Sequence, residues 1–387
     1  LKILQVHNTY REAGGEDAVV RAEAELLEGA GHKVERFQVA NPGGTLRPAA
    51  NLLLSPWNPV AARRLGRLAE RTRPDVAHVH NTWYSLSPSV LAALKRRGVP
   101  VVVTLHNYRV MCINGQLLRR GEICTLCVGS LPVRGLRYRC YRGSCAASAV
   151  AVIGAAAARV RRVWERDVDL YLVMSEFAKA QFVAAGLPEE RIRVKPHFVA
   201  DPGERSHAPS SSKTILYVGR LAREKGLENL LNAWRAASIA GCELLIVGVG
   251  PLQAELEARH EAGVRFLGWL PPGQVRRLML SARALVFPSV WYETFGLTIA
   301  EAMAAGTPVL ASDLGGTPEL LGPLGAGWLV EADNTAAWAS RLEAIASDAA
   351  ALDEAGRQAR KRYESTFSAK HGLRLLEDAY AAVARDR

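Results

Sequence analysis

The sequence of 387 residues has no apolar run long enough to cross a bilayer, which takes roughly 20 residues. The Ala-, Ser-, Gly- and Val-rich stretch from Gly143 to Ala158 falls short, so no transmembrane helix is expected. The opening Leu-Lys-Ile-Leu-Gln-Val turns polar at His7, too early for the apolar centre of a signal peptide. A cytoplasmic location follows as an expectation, extending to the inner face of the membrane. Cysteine is sparse outside one stretch: five of the six lie between Cys112 and Cys145, and Cys242 stands alone. A small scaffold stapled by disulfides is thereby excluded. Acid is also short, with 38 Asp and Glu against 49 Lys and Arg, a net charge of +11. That surplus predicts attraction to an anion, whether nucleic acid, phospholipid or a phosphate-bearing small molecule. What the chain does have is 49% hydrophobic and 22% charged residues, which excludes disorder and gives enough length for two cored domains.

Short β-rich apolar runs alternate with longer amphipathic stretches, the pattern of parallel strands joined by crossover helices. The first domain, 1–200, reads as strands at 1–6, 33–39, 75–80, 100–105, 169–174 and 191–195, with helices near 16–30, 59–72, 86–97 and 146–166 and one opened by Ser175. An irregular insertion spans 107–145. The Pro-, Gly- and Ser-rich string at 201–213 reads as a linker. In the second domain, 214–365, strands fall at 214–219, 243–248, 264–267, 284–288, 308–311 and 327–330. Helices open near Lys225, Pro251, Gln274, Phe295, Gly316 and Thr335. The last stretch, 350–385, reads as helical, and its end, 366–387, is expected to pack back on the first domain. Doubly wound units bind ligands beyond the carboxyl ends of their strands, so the cleft between two such units is the expected site.

In the second domain a strand runs into Gly219-Arg220-Leu221 and then Glu224-Lys225-Gly226. Two cations on one loop at a helix start suit a diphosphate. Glu293 and Glu301 lie eight positions apart around Phe295-Gly296-Leu297. A helix opening there would let both carboxylates and the early amides face one ligand. In the first domain the pair Gly14-Gly15 follows the first strand, and His106 follows the strand at 100–105.

These motifs, with Gly248-Val249-Gly250-Pro251, Phe266-Leu267-Gly268-Trp269-Leu270 and the run from Glu301 to Val309, resemble the retaining nucleotide-sugar glycosyltransferases of family 4. The resemblance implies a GT-B fold, two Rossmann-like α/β domains facing across a cleft. It also implies transfer from a nucleoside diphosphate sugar to a hydroxyl acceptor in polysaccharide, glycolipid or natural-product biosynthesis. Glu293 would hold hydroxyls of the transferred sugar, Glu301 the ribose, and Arg220 with Lys225 the diphosphate. The amides of Phe295, Gly296 and Leu297, with Gly14, Gly15, Gly219 and Gly250, would complete the donor cradle, and Gly268 and Trp269 would flank the base. His106 would sit beside the reacting carbon, with His80, Asn81, Asn107 and Tyr108 on the acceptor side. No carboxylate nucleophile stands out, so the resemblance implies a front-face displacement in which the departing phosphate helps deprotonate the acceptor. Asp167-Val168-Asp169 spells the triplet of metal-dependent transferases but immediately precedes a strand, and no catalytic metal is expected. Lys195-Pro196-His197 departs from the Pro-Asn-Gly turn of many members.

The insertion adds two features. Cys112, Cys124, Cys127 and Cys140 have the spacing C-x11-C-x2-C-x12-C of a four-thiolate zinc site, with a disulfide pair or unlinked thiols as alternatives. Arg109, Arg119, Arg120, Arg134, Arg137, Arg139 and Arg142 stand against a single Glu122, which suits a phosphate- or lipid-linked acceptor and peripheral contact with a membrane. The competing readings are a GT-B epimerase or sugar phosphorylase and, more remotely, a zinc-bearing nucleic-acid protein. The paired Glu residues and the basic loop argue against the epimerase and the phosphorylase, and no nucleic-acid partner is expected.

Overall fold

The alternating pattern folds, in the computed structural model, into two parallel sheets with helical crossovers. The structure describes residues 1–10, 14–41, 54–323 and 325–384. The chain divides into two units. Unit 1 takes Leu1–Arg119, Cys124–Lys195 and the chain from Leu373 onward, and unit 2 takes Arg120–Ile123 and Pro196–Gly372.

Unit 1 is built on β1 (Lys2–Thr9), β2 (Lys33–Ala40), β3 (Val76–Asn81) and β4 (Val101–Thr104). The two-residue strands of the insertion, β5 (Leu118–Arg119) and β6 (Glu122–Ile123), lie outside this sheet, β6 being grouped with unit 2, and β7 (Leu170–Val173) and β8 (Ile192–Val194) complete it. Among the described residues the order is β2-β1-β3-β4-β7-β8, with parallel neighbours throughout. The edge strand β2 is half exposed, whereas β3 and β4 are buried along their whole length, as parallel strands covered on both faces must be. Asp169 sits at the start of β7, where it accepts from the Val101 amide (2.8 Å) and pairs with Lys95. The Asp-Val-Asp triplet therefore ties strand entrances together, at the end of the sheet remote from the strand carboxyl ends.

Unit 2 is built on β9 (Thr214–Val218), β10 (Glu243–Val247), β11 (Val264–Gly268), β12 (Ala284–Phe287), β13 (Val309–Ser312) and β14 (Gly327–Val330), in the order β11-β10-β9-β12-β13-β14. The strand order reverses between β9 and β12, and in unit 1 between β1 and β3. Connections leave in opposite directions at such a point, so the loops after those strands splay and open a crevice.

Three boundaries differ from the sequence reading. The stretch 201–213 belongs to unit 2 and is pinned there. Ser210 donates through N and Oγ to Asp353 (2.8 and 2.7 Å), and Arg360 donates to both oxygens of Asp201. The helix expected over 350–385 is broken by a π-turn at Tyr363–Phe367 and by extended Ser368. Both aromatic rings are buried, and Val199 bonds the turn through its amide to the Phe367 carbonyl (3.0 Å), so burial of these rings overrides helical continuity. Third, Lys225 precedes its helix. It ends a 3₁₀ turn, Arg223–Lys225, and the helix proper is Leu227–Ala236. Beyond the break, Leu376, Ala379 and Tyr380 join the core of unit 1 beside Ile3, Val76, Val102 and Leu172.

Strand β3 places His78 and His80 on one face, two residues apart, with ring centroids 4.0 Å from each other. Buried imidazoles need partners. His78 bonds Tyr380 Oη through Nδ1 (2.8 Å) and Thr104 Oγ1 through Nε2 (2.7 Å). Glu23, on helix Gly15–Gly29, and Lys195, after β8, form a buried ion pair beside them. Burial holds the His78 imidazolium down, to a pKa of about 4, with Glu23 opposing and Lys195 adding to the shift. His80 is likewise held well below the usual value by burial and by its neighbouring rings.

The unfolded chain thus binds protons at His78 and His80 before the folded one does. Their contribution to stability is complete above about pH 6.5 and is lost as pH falls toward about 4. Urea midpoints measured across that window should fall with pH, and the slope should shrink in His78→Phe even if the variant is less stable at neutral pH. An equal slope in both proteins would contradict the assignment.

Candidate active site

The splayed loops after β9 and β12 hold the charged groups of unit 2. Lys225 Nζ donates to Glu293 Oε1 (2.6 Å), and Ser289 Oγ donates to the same oxygen (2.6 Å). The ammonium also lies 5.4 Å from the centroid of Trp291 and 5.8 Å from that of Phe287. Glu293 is 5% exposed, and a carboxylate so buried needs a fixed cation. Lys225 has three donor protons, so one bond to Glu293 leaves capacity for an anionic ligand.

Backbone packing brings these loops together. Gly226 has φ +68°, and a Cβ there would lie 1.8 Å from the Pro288 carbonyl oxygen. The Val290 amide bonds the Glu224 carbonyl (3.0 Å), so the two loops run against each other with no side chain between them. The loop after β10 packs in the same way. Gly248 has φ +133° and a Cβ there would be 1.9 Å from the Gly219 carbonyl oxygen; one on Gly250 would be 2.4 Å from that of Leu221. Gly219 and Leu221 donate to the Val247 and Val249 carbonyls, both at 3.0 Å. Gly250, read as part of the donor cradle, is thus required first by loop-on-loop contact, whereas a Cβ on Gly219 would meet the Tyr217 hydroxyl at 2.8 Å.

Helix Leu297–Ala304 starts with Gly296 as its left-handed N-cap. Its first amides lack i−4 carbonyls within the helix and are anion-binding donors. The Phe295 ring is buried against His197 and Phe367, which leaves its backbone as the part that could face a ligand. His197, which replaces the expected Asn, is a core residue of unit 2. Glu301 does not share the Lys225 contact. It lines a small cavity with Arg276, Ala200 and Pro202, and burial raises its carboxyl pKa while Arg276 opposes the rise. Arg220 is exposed, and Trp269, 67% exposed, follows left-handed Gly268 at the end of β11.

Unit 1 gathers a second set. His106 Nε2 lies 3.0 Å from His80 Nδ1, with the rings stacked at 5.3 Å. Both line a cavity of about 90 Å³ whose polar side includes Asn81, Asn107 and Arg109 and whose apolar wall is Ala151, Gly154, Ala155 and Ala158 of helix Cys145–Val160. Asn81 is committed to backbone, donating to the Asn8 carbonyl and accepting from the Trp83 amide. Tyr108, expected on the acceptor side, is fully buried and stacks on Phe182 of helix Glu176–Ala184, which ties the start of the insertion to the body of unit 1. Gly14 caps helix Gly15–Gly29, its N–H donating a hydrogen bond to Asp17 Oδ2 (2.9 Å).

Sequence reasoning missed the groups around this cap. His7 Nε2 bonds Asp17 Oδ1 (2.9 Å), and Tyr10 donates to Glu16 Oε2 (2.9 Å). Burial pushes the Glu16 carboxyl up to about 8 against the hydrogen bond from Tyr10; Asp17 adds to the rise, and Arg109 and Asn107 oppose it. Such a carboxyl can hold or release a proton near neutrality. The signal available was the pair Glu16-Asp17 directly after two glycines. Ser289 was also missed, although it follows β12 four positions before Glu293.

Two family models match the chain, "Glycosyl transferase 4-like domain" over residues 13–197 and "Glycosyl transferases group 1" over 203–362. The fold matches Anabaena HepE, solved in complex with UDP, with a TM-score of 0.71 over 99% of this chain and 100% of that one at 18% identity. The two units have the fold of GT-B glycosyltransferases, and one family model matches each. Curated relatives include a phosphatidyl-myo-inositol mannosyltransferase of Mycobacterium leprae, 32% identical over 56% of this chain and 61% of that protein. Another is a 2-deoxystreptamine glucosyltransferase of Streptomyces kanamyceticus, 27% identical over 84% and 82%. The match to the mannosyltransferase thus spans about 61% of that protein's length.

The loop packing separates two kinds of glycine. Gly226→Ala should lower the stability of unit 2 by about 2–4 kcal/mol, since backbone must move. Gly268→Ala, equally left-handed at φ +65° but open to space, should cost only about 1 kcal/mol. Chemical denaturation of both variants checks the order, and equal losses would contradict it.

Proposed function

We propose that the protein transfers a sugar from a nucleoside diphosphate sugar to a hydroxyl acceptor with retention of configuration. The observation that carries this reading is the Lys225–Glu293–Ser289 cluster where the strand order of unit 2 reverses. A cation beside a buried carboxylate matches a ligand that presents a diphosphate next to sugar hydroxyls. Lys225 and Arg220 take the diphosphate, with the amides at the start of helix Leu297–Ala304. Glu293 accepts from hydroxyls of the transferred sugar, Glu301 from the ribose, and the exposed Trp269 stacks beside the base.

The bond from the anomeric carbon to the phosphate oxygen breaks as the bond to the acceptor oxygen forms on the same face, and the acceptor proton passes to the departing phosphate. Charge develops on the leaving group, and Lys225 and Arg220 stabilise it there. His106, oriented by its contact with His80, positions the acceptor side. The cavity beside it, polar at one side and walled by alanines at the other, suits an acceptor with an apolar or phosphate-linked part. Leu126, Leu131, Val133 and Leu136 are exposed among the arginines of the insertion, which supports peripheral contact with an anionic membrane surface. The mannosyltransferase relative, whose name places it on a phosphatidyl lipid, agrees with that reading.

Initial rates should be measured with UDP-, GDP-, ADP- and TDP-sugars, starting from UDP-sugars because HepE was solved with UDP. Lys225→Ala and Glu293→Ala should each lower turnover by about 10²–10³-fold with unfolding midpoints that still report a folded chain. His106→Ala should lower turnover while calorimetry shows donor affinity unchanged. Wild-type rates in Lys225→Ala or Glu293→Ala would refute the site, and failure to bind any nucleotide sugar would refute the function.

A further inference from the structure

The segment between β4 and helix Cys145–Val160 has little to hold it. Its regular elements are β5, β6 and the four-residue helix Arg134–Arg137. It carries non-glycine residues at positive φ at Leu117, Arg120, Arg139 and Arg142, and several of its apolar side chains point to solvent. A small loop-rich body of this kind does not bury enough apolar surface to stand alone and generally needs a covalent or metal staple. No disulfide supplies one, since all six cysteines are thiols.

The four cysteines that stood out by their spacing come together in this fold. Cys112, Cys124, Cys127 and Cys140 all line one cavity of about 20 Å³, the size of a single water-sized body. Cys145 and Cys242 do not line it. The electrostatics around the four sulfurs suit a negative centre. Arg119 and Arg134 line the same cavity, so two guanidinium groups stand beside the sulfurs. No acidic side chain lines the cavity.

We propose that Cys112, Cys124, Cys127 and Cys140 bind one structural zinc ion that staples the insertion of unit 1. Four thiols lose four protons on binding, giving a centre of net charge −2 that Arg119 and Arg134 offset. The Cys112 thiol donates to Asn114 Oδ1 (2.9 Å), so ligation exchanges that bond for one to the metal through side-chain rotation. Among the described residues, Glu23, His78 and His80 are the trio whose ligand atoms already lie within 4.8 Å of one another, so the thiols must draw closer on binding. The buried trio itself is a poorer cation site. Lys195 already pairs with Glu23, and both nitrogens of His78 are engaged.

The test is elemental analysis of the full chain purified under reducing conditions without added zinc. About one zinc per chain is expected. Cys145→Ser and Cys242→Ser should keep it and Cys124→Ser/Cys127→Ser should lose it. Because the double variant can misfold, the wild-type protein supplies a second reading. A chelator should make four further thiols reactive toward a thiol reagent and lower the melting temperature, and zinc should restore both. Cobalt should give the strong sulfur-to-metal absorption of a four-thiolate site. Less than about half an equivalent of zinc in the wild type, zinc retained by the double variant, or a disulfide between any two of the four would overturn the proposal.

Discussion

The bond between Lys225 and Glu293 is the contact on which the candidate site of unit 2 turns. It joins the loop after β9 to the loop after β12, the two strands between which the order of the sheet reverses. The distance is short because Gly226 lies against the Pro288 carbonyl and Gly248 against that of Gly219, approaches that any Cβ would block. Backbone packing without side chains therefore comes first, and the chemistry of the pair follows from it. A carboxylate that is 5% exposed is thereby paired with a fixed ammonium, the combination that the proposed ligand, phosphate next to hydroxyls, would call for.

Unit 1 solves a different problem with the same kind of sheet. Its inner strand β3 carries two histidines where apolar residues would be ordinary, and the fold answers with partners from β4, from the first helix, from the end of β8 and from the C-terminal helix. The row reaches the surface at His106 through His80. A polar row inside a parallel sheet costs stability where a member is left unpaired; His78 is bonded at both nitrogens, whereas His80 bonds through Nδ1 and its Nε2 lies 3.6 Å from Glu23. The arginines of the insertion are also more structural than their number implied. Arg109 lies over Trp83 and Tyr141, Arg119 over Tyr138, and Arg142 over Tyr84 and Tyr141, so part of the basic surplus is spent on aromatic faces.

Much of the fold was legible because parallel strands buried on both faces leave continuous apolar runs between amphipathic stretches. Each strand of unit 2 falls within a residue or so of its expected place. Boundaries set by burial rather than by pattern were not legible. The helix over 350–385 breaks where Tyr363 and Phe367 turn into the core, and the Ser-rich string at 201–213 is held by Asp353 and Arg360 from far along the chain. On the donor side, Glu293, Lys225 and the glycines were found by motif. Ser289 and Arg276 were not, since a lone serine or arginine carries no spacing signal.

By itself the sequence determined the two α/β sheets, the loops that follow their strands and the residue types on those loops, because strand and helix periods and glycine turns are local properties. Only tertiary structure decided which of those residues meet. Glu293 took Lys225 and Ser289 while Glu301 faced Arg276, and Tyr108 went into a core as His80 and His106 came to share a contact. The reason is that partners are chosen by strand order and by the close approach of loops. Both depend on residues tens to hundreds of positions apart, which no local pattern records.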